Sequence, residues 1–316
     1  MKKLAVTYSA VTNERLEKIK AVATDYEVII LNSDDEEILD CEIIFGGINP
    51  SFLSRADKLK WLHTSFAGVD SLLKPEVNFP KDIILTNSAG TYGIAISEYL
   101  LTVTLMLMRR NLEYAKLQIQ NKWQPLGSVK CVYGSQVCVV GLGDIGENYA
   151  KRVQALGATV SGVVRTPRAM KPDFVEKLYT THQLDEAISD ADIVALCLPS
   201  TSETIGLFNE KRLSKMKPGA LILNIGRGSA IDTNALIAAL ESGQIGGAGL
   251  DVTDPEPLPA DSTLWQMDNV IITPHISGNQ TLELTNDLIV DKFIKYLCDY
   301  IAGRTFERVV DKELGY

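Results

Sequence analysis

The stretch that most constrains this chain is a short apolar run, Val137-Cys138-Val139-Val140, that opens directly onto Gly141-Leu142-Gly143-Asp144-Ile145-Gly146. A helical pattern, Gly146–Ala155, follows at once. Glycines at the first, third and sixth positions have separate tasks in such a turn. Gly141 permits the tight bend, Gly143 lets the backbone approach a pyrophosphate, and Gly146 lets helix and strand pack closely. The helix start then offers unbonded N–H groups and the positive end of its dipole to an anion. A GxGxxG pattern alone is a weak signal, but the strand–turn–helix context it requires is present. Gly141, Gly143, Asp144, Ile145 and Gly146 are therefore read as a dinucleotide-phosphate cradle.

A cradle of this kind needs a parallel sheet around it, and the rest of the chain supplies the pattern. Short apolar runs alternate with helical stretches from end to end, which argues for parallel sheets covered by helices. The first part carries strand candidates Leu4–Tyr8, Glu27–Leu31, Glu42–Phe45, Trp61–His63 and Ile83–Thr86, with a helix over Asn13–Ala23. A long helix is expected from Ser97 to about Gln120. A second strand series follows: Gln136–Val140, Thr159–Val164, Ile193–Leu198, Ala220–Ile225, Gly247–Val252 and Val270–Thr273. A last helix, Leu282–Ala302, is expected to return to the first domain. The predicted architecture is α/β: two Rossmann-like or flavodoxin-like parallel-sheet domains with a cleft between them. One comprises residues 1–97 and 283–316, the other, dinucleotide-binding, residues 98–282. The length of 316 residues favours two domains.

Composition excludes several classes of partner. The formal net charge of -9 disfavours nucleic acid. The most apolar segment, Tyr99–Met108, is far shorter than the ~20 residues a membrane span needs, and is read as a buried helix between domains or subunits. Met1-Lys2-Lys3 is not followed by a signal-peptide apolar stretch. The five cysteines, Cys41, Cys131, Cys138, Cys197 and Cys298, form no CxxC pair and read as reduced thiols of a cytoplasmic protein without a metal.

The residue after the second strand of the series distinguishes the two nicotinamide dinucleotides. An acid there would bond the ribose 2′-hydroxyl of NAD. The chain instead reads Val164-Arg165-Thr166-Pro167-Arg168. Arginines grip a phosphate as a charged fork, so Arg165, Thr166 and Arg168 predict NADP as the preferred cofactor, with NAD as the alternative.

Ligands of open parallel sheets bind outside the carboxyl ends of the strands. Three such ends carry Arg227, the pair Asp254 and Glu256, and His275. These types suit hydride transfer to a 2-keto acid. An arginine holds the substrate carboxylate with two parallel N–H bonds. A histidine gives a proton to the ketone oxygen near neutral pH, and a carboxylate beside it fixes its orientation. On chemistry alone Asp254 and Glu256 are equal candidates. His63 follows a strand where it could line the cleft, and His182 reads as a solvated residue before a helix; neither is assigned to catalysis.

From about Trp61 to Gly278 these pieces, in this order, resemble the D-isomer-specific 2-hydroxy acid dehydrogenases, above all the glyoxylate and hydroxypyruvate reductase branch. The matching stretches are Trp61 through Asp70, Asn87 through Glu98, Gly141–Gly146, Leu198-Pro199 with Thr204, Asn224 through Gly228, Gly249 through Val252, Asp254 through Pro257, and Asn269 through His275. The resemblance implies a catalytic set of Arg227, Glu256 and His275, selecting Glu256 as the glutamate directly before a proline. It implies that N–H groups around Ala67 and Gly68 join Arg227 and His275 in binding substrate. It places Leu198, Pro199, Thr204, Ile225 and Gly226 along the cofactor site and Asp251 at the nicotinamide carboxamide. It further implies a homodimer joined through the coenzyme domains. The activity implied is reduction of a small 2-keto acid to the D-2-hydroxy acid. The alternatives are a catalytically silent dinucleotide-sensing regulator of the same fold, or a dehydrogenase of another small anion such as formate or phosphite. Two features depart from the pattern: the missing acid at Arg165, and Phe66, which stands where many relatives carry a smaller residue. Trp265 reaches the pocket only by analogy.

Overall fold

The computed structural model describes residues 1–278 and 282–315. Residues 279–281, which the sequence assigns to the second domain, and residue 316, which it assigns to the first, lie outside the described residues. The chain divides into two compact units, Met1–Tyr92 with Gln280–Tyr316, and Gly93–Asn279.

Within the first unit the elements are β1 (Lys2–Val6), α1 (Asn13–Val22), β2 (Tyr26–Ile30), β3 (Ile43–Phe45), β4 (Trp61–Thr64) and β5 (Ile84–Asn87). The strands pair in parallel in the order β2-β1-β3-β4-β5, the flavodoxin-like doubly wound order. β3 and β4 are buried along their whole length, as strands covered on both faces must be.

The second unit continues with α2 (Gly93–Met108), α3 (Asn111–Ile119), β6 (Gln136–Val140), α4 (Asp144–Ala155), β7 (Thr159–Val164), β8 (Lys177–Thr180), α5 (Leu184–Ser189), β9 (Ile193–Leu196), α6 (Glu210–Leu213), β10 (Ala220–Asn224), α7 (Thr233–Glu241), β11 (Ile245–Leu250) and β12 (Val270–Ile272). The last helix, α8 (Glu283–Ile301), belongs to the first unit. The second sheet runs β12-β11-β10-β9-β6-β7-β8, all parallel. Read from β8 this is the dinucleotide-binding order with β12 added at the far edge, and strand order reverses between β6 and β9. Both sheets are parallel, as expected from the alternating pattern, and the second has one strand more than was read from the sequence.

Three differences from the sequence reading have physical causes. The long helix expected from Ser97 to Gln120 is broken into α2 and α3, because Arg110 takes a left-handed backbone with φ 56°. Its guanidinium closes the break by bonding Glu113 at 2.6 and 2.7 Å and the Leu126 carbonyl. β8 is a short, polar edge strand, Lys-Leu-Tyr-Thr, without the apolar run that reveals an interior strand. The strand expected at Gly247–Val252 is Ile245–Leu250, so Asp251 lies just past its end rather than within it. Among the described residues no helix is long and apolar enough to cross a membrane.

Candidate active site

The glycine turn between β6 and α4 is built as its spacing demands. Gly141 has φ 99°, and a methyl group on it would lie 2.5 Å from the Cys197 carbonyl oxygen. A methyl on Gly146 would strike the Gly141 carbonyl. Gly143 differs: a methyl there would meet nothing within 4 Å. Two of the glycines thus answer to the fold, and the third faces open space. Gly143 is also the N-cap of α4, and no side chain caps that helix, so its first N–H groups are left for an anion. These residues fit a dinucleotide pyrophosphate. Half-buried Asp144 and Ile145 form the first turn, with the Asp144 carboxylate accepting from the Asn148 amide at 3.1 Å.

At the end of β7, Arg165, Thr166 and Arg168 are all exposed. Arg168 lies back over the phosphate turn, donating to the Leu142 carbonyl and to Glu147 at 2.7 Å. Leu198 and Pro199 follow β9. The Thr204 hydroxyl donates to the Pro199 carbonyl at 2.7 Å and accepts from the Thr201 N–H at 2.8 Å, stapling that loop.

The chemistry-bearing side chains stand at the carboxyl ends of three adjacent strands, β10, β11 and β12. Arg227 leaves β10 through a turn tied by buried Asn224, whose side chain accepts from the Gly226 N–H at 3.1 Å and donates to the Arg227 carbonyl at 2.9 Å. The Arg227 guanidinium donates to the Gly226 carbonyl at 2.8 Å. The flanking glycines leave no room for a ligand. Methyl groups on Gly226 and Gly228 would collide with the carbonyls of Leu198 and Thr253, so close backbone packing requires them. Ile225 and Gly226 are buried in this turn.

His275 follows β12 in a left-handed backbone, φ 53°, which a histidine adopts only when its surroundings compel it. Its N–H donates to the carbonyls of Asp251 at 2.8 Å and Thr273 at 3.0 Å. Nδ1 lies 2.7 Å from Glu256 Oε1. An ionised carboxylate only accepts, so Nδ1 carries the proton in that contact and Nε2 is the nitrogen left outside it. Of the two carboxylates that chemistry left equal, it is Glu256 that touches the imidazole. Asp251 is buried, and its carboxylate accepts from the Thr273 hydroxyl at 2.6 Å, the Ile276 N–H at 2.8 Å and the Ser277 N–H at 2.9 Å. A carboxylate has about four acceptor positions, so one remains for an outside donor.

In the first unit, the loop after β4 turns its carbonyls inward. Thr64 O accepts from the Ser88 hydroxyl at 2.8 Å, and Ser65 O from the Tyr92 hydroxyl at 2.5 Å. Phe66 O accepts from the Thr64 hydroxyl and the Ser88 N–H at 2.9 and 3.1 Å, and Ala67 O from the Asn87 amide at 2.7 Å. The N–H groups of Ala67 and Gly68 have no acceptor among the described residues. Consecutive unpaired amides of this kind make an anion-binding concavity. His63, expected to line an opening, is instead wholly buried within β4, packed by Phe45, Trp61, Phe293 and Tyr296. Burial, with Lys292 nearby, pushes its pKa down to about 3. Neutral His63 accepts at Nδ1 from Thr86 (2.7 Å), whose oxygen accepts from Trp61, and Nε2 faces Ser88 at 3.3 Å.

Residues 101–277, more than half the chain, match the family described as D-isomer specific 2-hydroxyacid dehydrogenase, NAD binding domain. The chain belongs to the D-isomer specific 2-hydroxyacid dehydrogenases. A glyoxylate reductase of Thermofilum pendens is 31 % identical over 293 residues, covering 91 % of this chain and 85 % of the relative. A D-isomer specific 2-hydroxyacid dehydrogenase of Xanthobacter autotrophicus, solved with NADPH and MES, superposes with a TM-score of 0.85 at 28 % identity, covering 100 % of this chain and 99 % of that one. An NADPH-dependent glyoxylate/hydroxypyruvate reductase of Sinorhizobium meliloti, solved with NADP and sulfate, gives 0.84 at 26 % identity over the whole of both chains.

This dehydrogenase is therefore an NAD(P)-dependent oxidoreductase that acts as a 2-keto acid reductase, not a silent regulator of the same fold. The side chains of the remaining residues singled out in its sequence make none of these contacts among the described residues. His182 is exposed in a short turn before α5. Phe66 and Trp265 are 58 % and 50 % exposed, the latter donating from its indole to the Pro259 carbonyl at 2.9 Å. The five cysteines are free thiols. Among the described residues no group of three His, Cys, Asp or Glu is gathered as a metal site. Sequence reasoning missed the pairings that anchor Asp251 and the inward carbonyls of residues 64–67. The hydroxyl-rich spacing of Thr64, Ser65, Thr86, Asn87 and Ser88 was the signal available for the second.

Proposed function

We propose that this dehydrogenase reduces glyoxylate, hydroxypyruvate or a close 2-keto acid to the D-2-hydroxy acid, with NADPH as its preferred coenzyme. The observation that carries the reading is the 2.7 Å contact of Glu256 with Nδ1 of His275 beside the arginine-bearing turn after β10. Arg227 holds the substrate carboxylate, assisted by the N–H groups of Ala67 and Gly68. When bound, the nicotinamide supplies the hydride. As charge develops on the ketone oxygen, His275 gives it a proton from Nε2, and Glu256 stabilises the imidazole while it is charged. In oxidation the neutral imidazole takes the hydroxyl proton back.

The residues that would hold the coenzyme are Gly141, Gly143, Asp144, Ile145 and Gly146 at the pyrophosphate, and Leu198, Pro199, Thr204, Ile225, Gly226 and Asp251 towards the nicotinamide. Arg165, Thr166 and Arg168 would hold the 2′-phosphate. That phosphate suits a strand end with two arginines and no acid. The dinucleotides named for the two solved relatives point the same way. A homodimer is supported by exposed apolar side chains running from α2 into the loop after α3, namely Leu105, Tyr114, Ile119, Trp123 and Val129. Free thiols suit a cytoplasmic setting.

The test is oxidation of NADPH and NADH followed at 340 nm with glyoxylate, hydroxypyruvate and phenylpyruvate. Turnover faster with NADPH on the first two is expected. Arg227→Gln should lose at least about a hundredfold in kcat/KM, since a bidentate charged contact is removed, while NADPH affinity persists. An Arg227→Gln protein that keeps its activity would remove the assignment. Light scattering on the same preparation checks for the dimer.

A further inference from the structure

The mechanism above uses the side chain of His275 but leaves open what holds its backbone in a left-handed conformation. The contacts lead outward from it in one direction. The Thr273 hydroxyl donates to the Asp251 carboxylate at 2.6 Å, because an ionised carboxylate cannot donate. The same hydroxyl lies 2.5 Å from the phenol oxygen of Tyr99 on α2. With its own proton spent on Asp251, Thr273 can only accept, so Tyr99 is the donor. The result is a directed chain: Tyr99 hydroxyl to Thr273 hydroxyl to Asp251 carboxylate. That carboxylate in turn receives the N–H groups of Ile276 and Ser277, and the Asp251 carbonyl receives the N–H of His275. Two amides on the carboxylate and one on the carbonyl therefore grip residues 275–277 from a single aspartate. One of the three donors on that aspartate's side chain is itself bonded to a helix far away in sequence.

We infer that Tyr99 and Thr273 are positioning residues for the proton donor. They lock Asp251 in the orientation that holds the His275 loop, and α2 thereby sets the aim of the imidazole. The inference rests on the reading of His275 as proton donor. Hydrogen bonds through successive hydroxyls polarise one another, so the phenol proton strengthens the Thr273–Asp251 bond as well as fixing its direction. His275 itself is held at its ring by Glu256 alone among the described residues. Its aim therefore depends on the backbone grip.

The experiment uses the full-length enzyme with NADPH and glyoxylate, in variants Tyr99→Phe, Thr273→Ser and Thr273→Val, each also combined with His275→Gln. Removing the phenol hydroxyl costs one uncharged hydrogen bond, so kcat should fall roughly fivefold to tenfold. NADPH affinity, read by quenching of intrinsic fluorescence, should fall by less than kcat, because the carboxylate of Asp251 keeps its two amide donors. Thr273→Ser keeps the relay hydroxyl and should retain most of the activity, whereas Thr273→Val should lose more than Tyr99→Phe. In the His275→Gln background neither Tyr99→Phe nor Thr273→Val should lower the residual rate further, because the group they position is gone.

Unchanged kcat in Tyr99→Phe overturns the inference. So does a loss of NADPH affinity as large as the loss in kcat, a Thr273→Ser enzyme as poor as Thr273→Val, or full additivity with His275→Gln. If Tyr99→Phe does not fold, the serine and valine pair decides alone. The underlying reading fails separately, if His275→Gln by itself leaves turnover intact.

Discussion

At the ends of β10, β11 and β12 the polar groups are side chains, and two of them, His275 and Glu256, are 46 % and 42 % exposed. At the end of β4 they are backbone amides, backed by His63, which has no exposed surface at all. In the proposed mechanism the first region changes charge in every turnover, because a proton leaves and returns. A group that must ionise cannot be walled off from water without moving its pKa out of range. In that mechanism the amides of the second region assist Arg227 with a carboxylate whose charge never changes. Fixed dipoles suffice there, and burial of their supports costs nothing so long as each polar group is paired. The same contrast shows in the glycines: Gly146 is required by the fold alone, Gly143 leaves space for what the fold receives.

The largest way to break this comparison is to remove the titrating group. His275→Gln should lower kcat by about a thousandfold, within the span of general acid catalysis, with NADPH affinity preserved; stopped-flow reduction of a keto acid measures it. A small effect would mean that proton transfer does not run through the exposed region.

The buried histidine tests the other side. His63 is neutral when folded, with a pKa near 3, against about 6.5 when unfolded. Between those values the unfolded chain binds a proton that the native chain refuses, so stability falls as pH falls. The loss is about 1.4 kcal/mol per pH unit below 6.5, ending near pH 3. In His63→Gln that component is absent. Urea midpoints at pH 7, 5.5 and 4.5 should show the gap between native and variant narrowing with acidity by about 2 to 3 kcal/mol in total. A constant gap would show that His63 ionises freely in the folded state.

The smallest effect is expected at the coenzyme's outer end. Arg165→Ala should raise KM for NADPH about tenfold while leaving KM for NADH unchanged, as the loss of one exposed charged contact to phosphate implies. Equal changes for both coenzymes would show that Arg165 does not read the 2′-phosphate.

The strands that build both sheets could be read because interior parallel strands are continuous apolar runs, Ala220–Asn224 being one. The phosphate turn could be read because steric needs at Gly141 and Gly146 leave no other residue. His275 and Arg227 were legible as polar residues just past such runs. Other features were hidden for identifiable reasons. Arg110 breaks a helix through its own ion pair with Glu113, not through glycine or proline. The edge strand Lys177–Thr180 has no second buried face to enrich in apolar residues. Asp251 resembles any acid after a strand; that its carboxylate takes three donors depends on a loop more than twenty residues later.

The second unit is spliced into the first, and this bears on synthesis at the ribosome. Residues of α8 complete the first unit through pairs such as Tyr8 with Asn286, 2.7 Å apart across 278 positions of sequence, and Arg15 with Asp287. A nascent chain that has emerged only through residue 278 carries everything described for the nucleotide-binding half, but its opening segment still lacks that helix. The coenzyme half is thus free to fold first, while the segment made earliest waits longest for its partner.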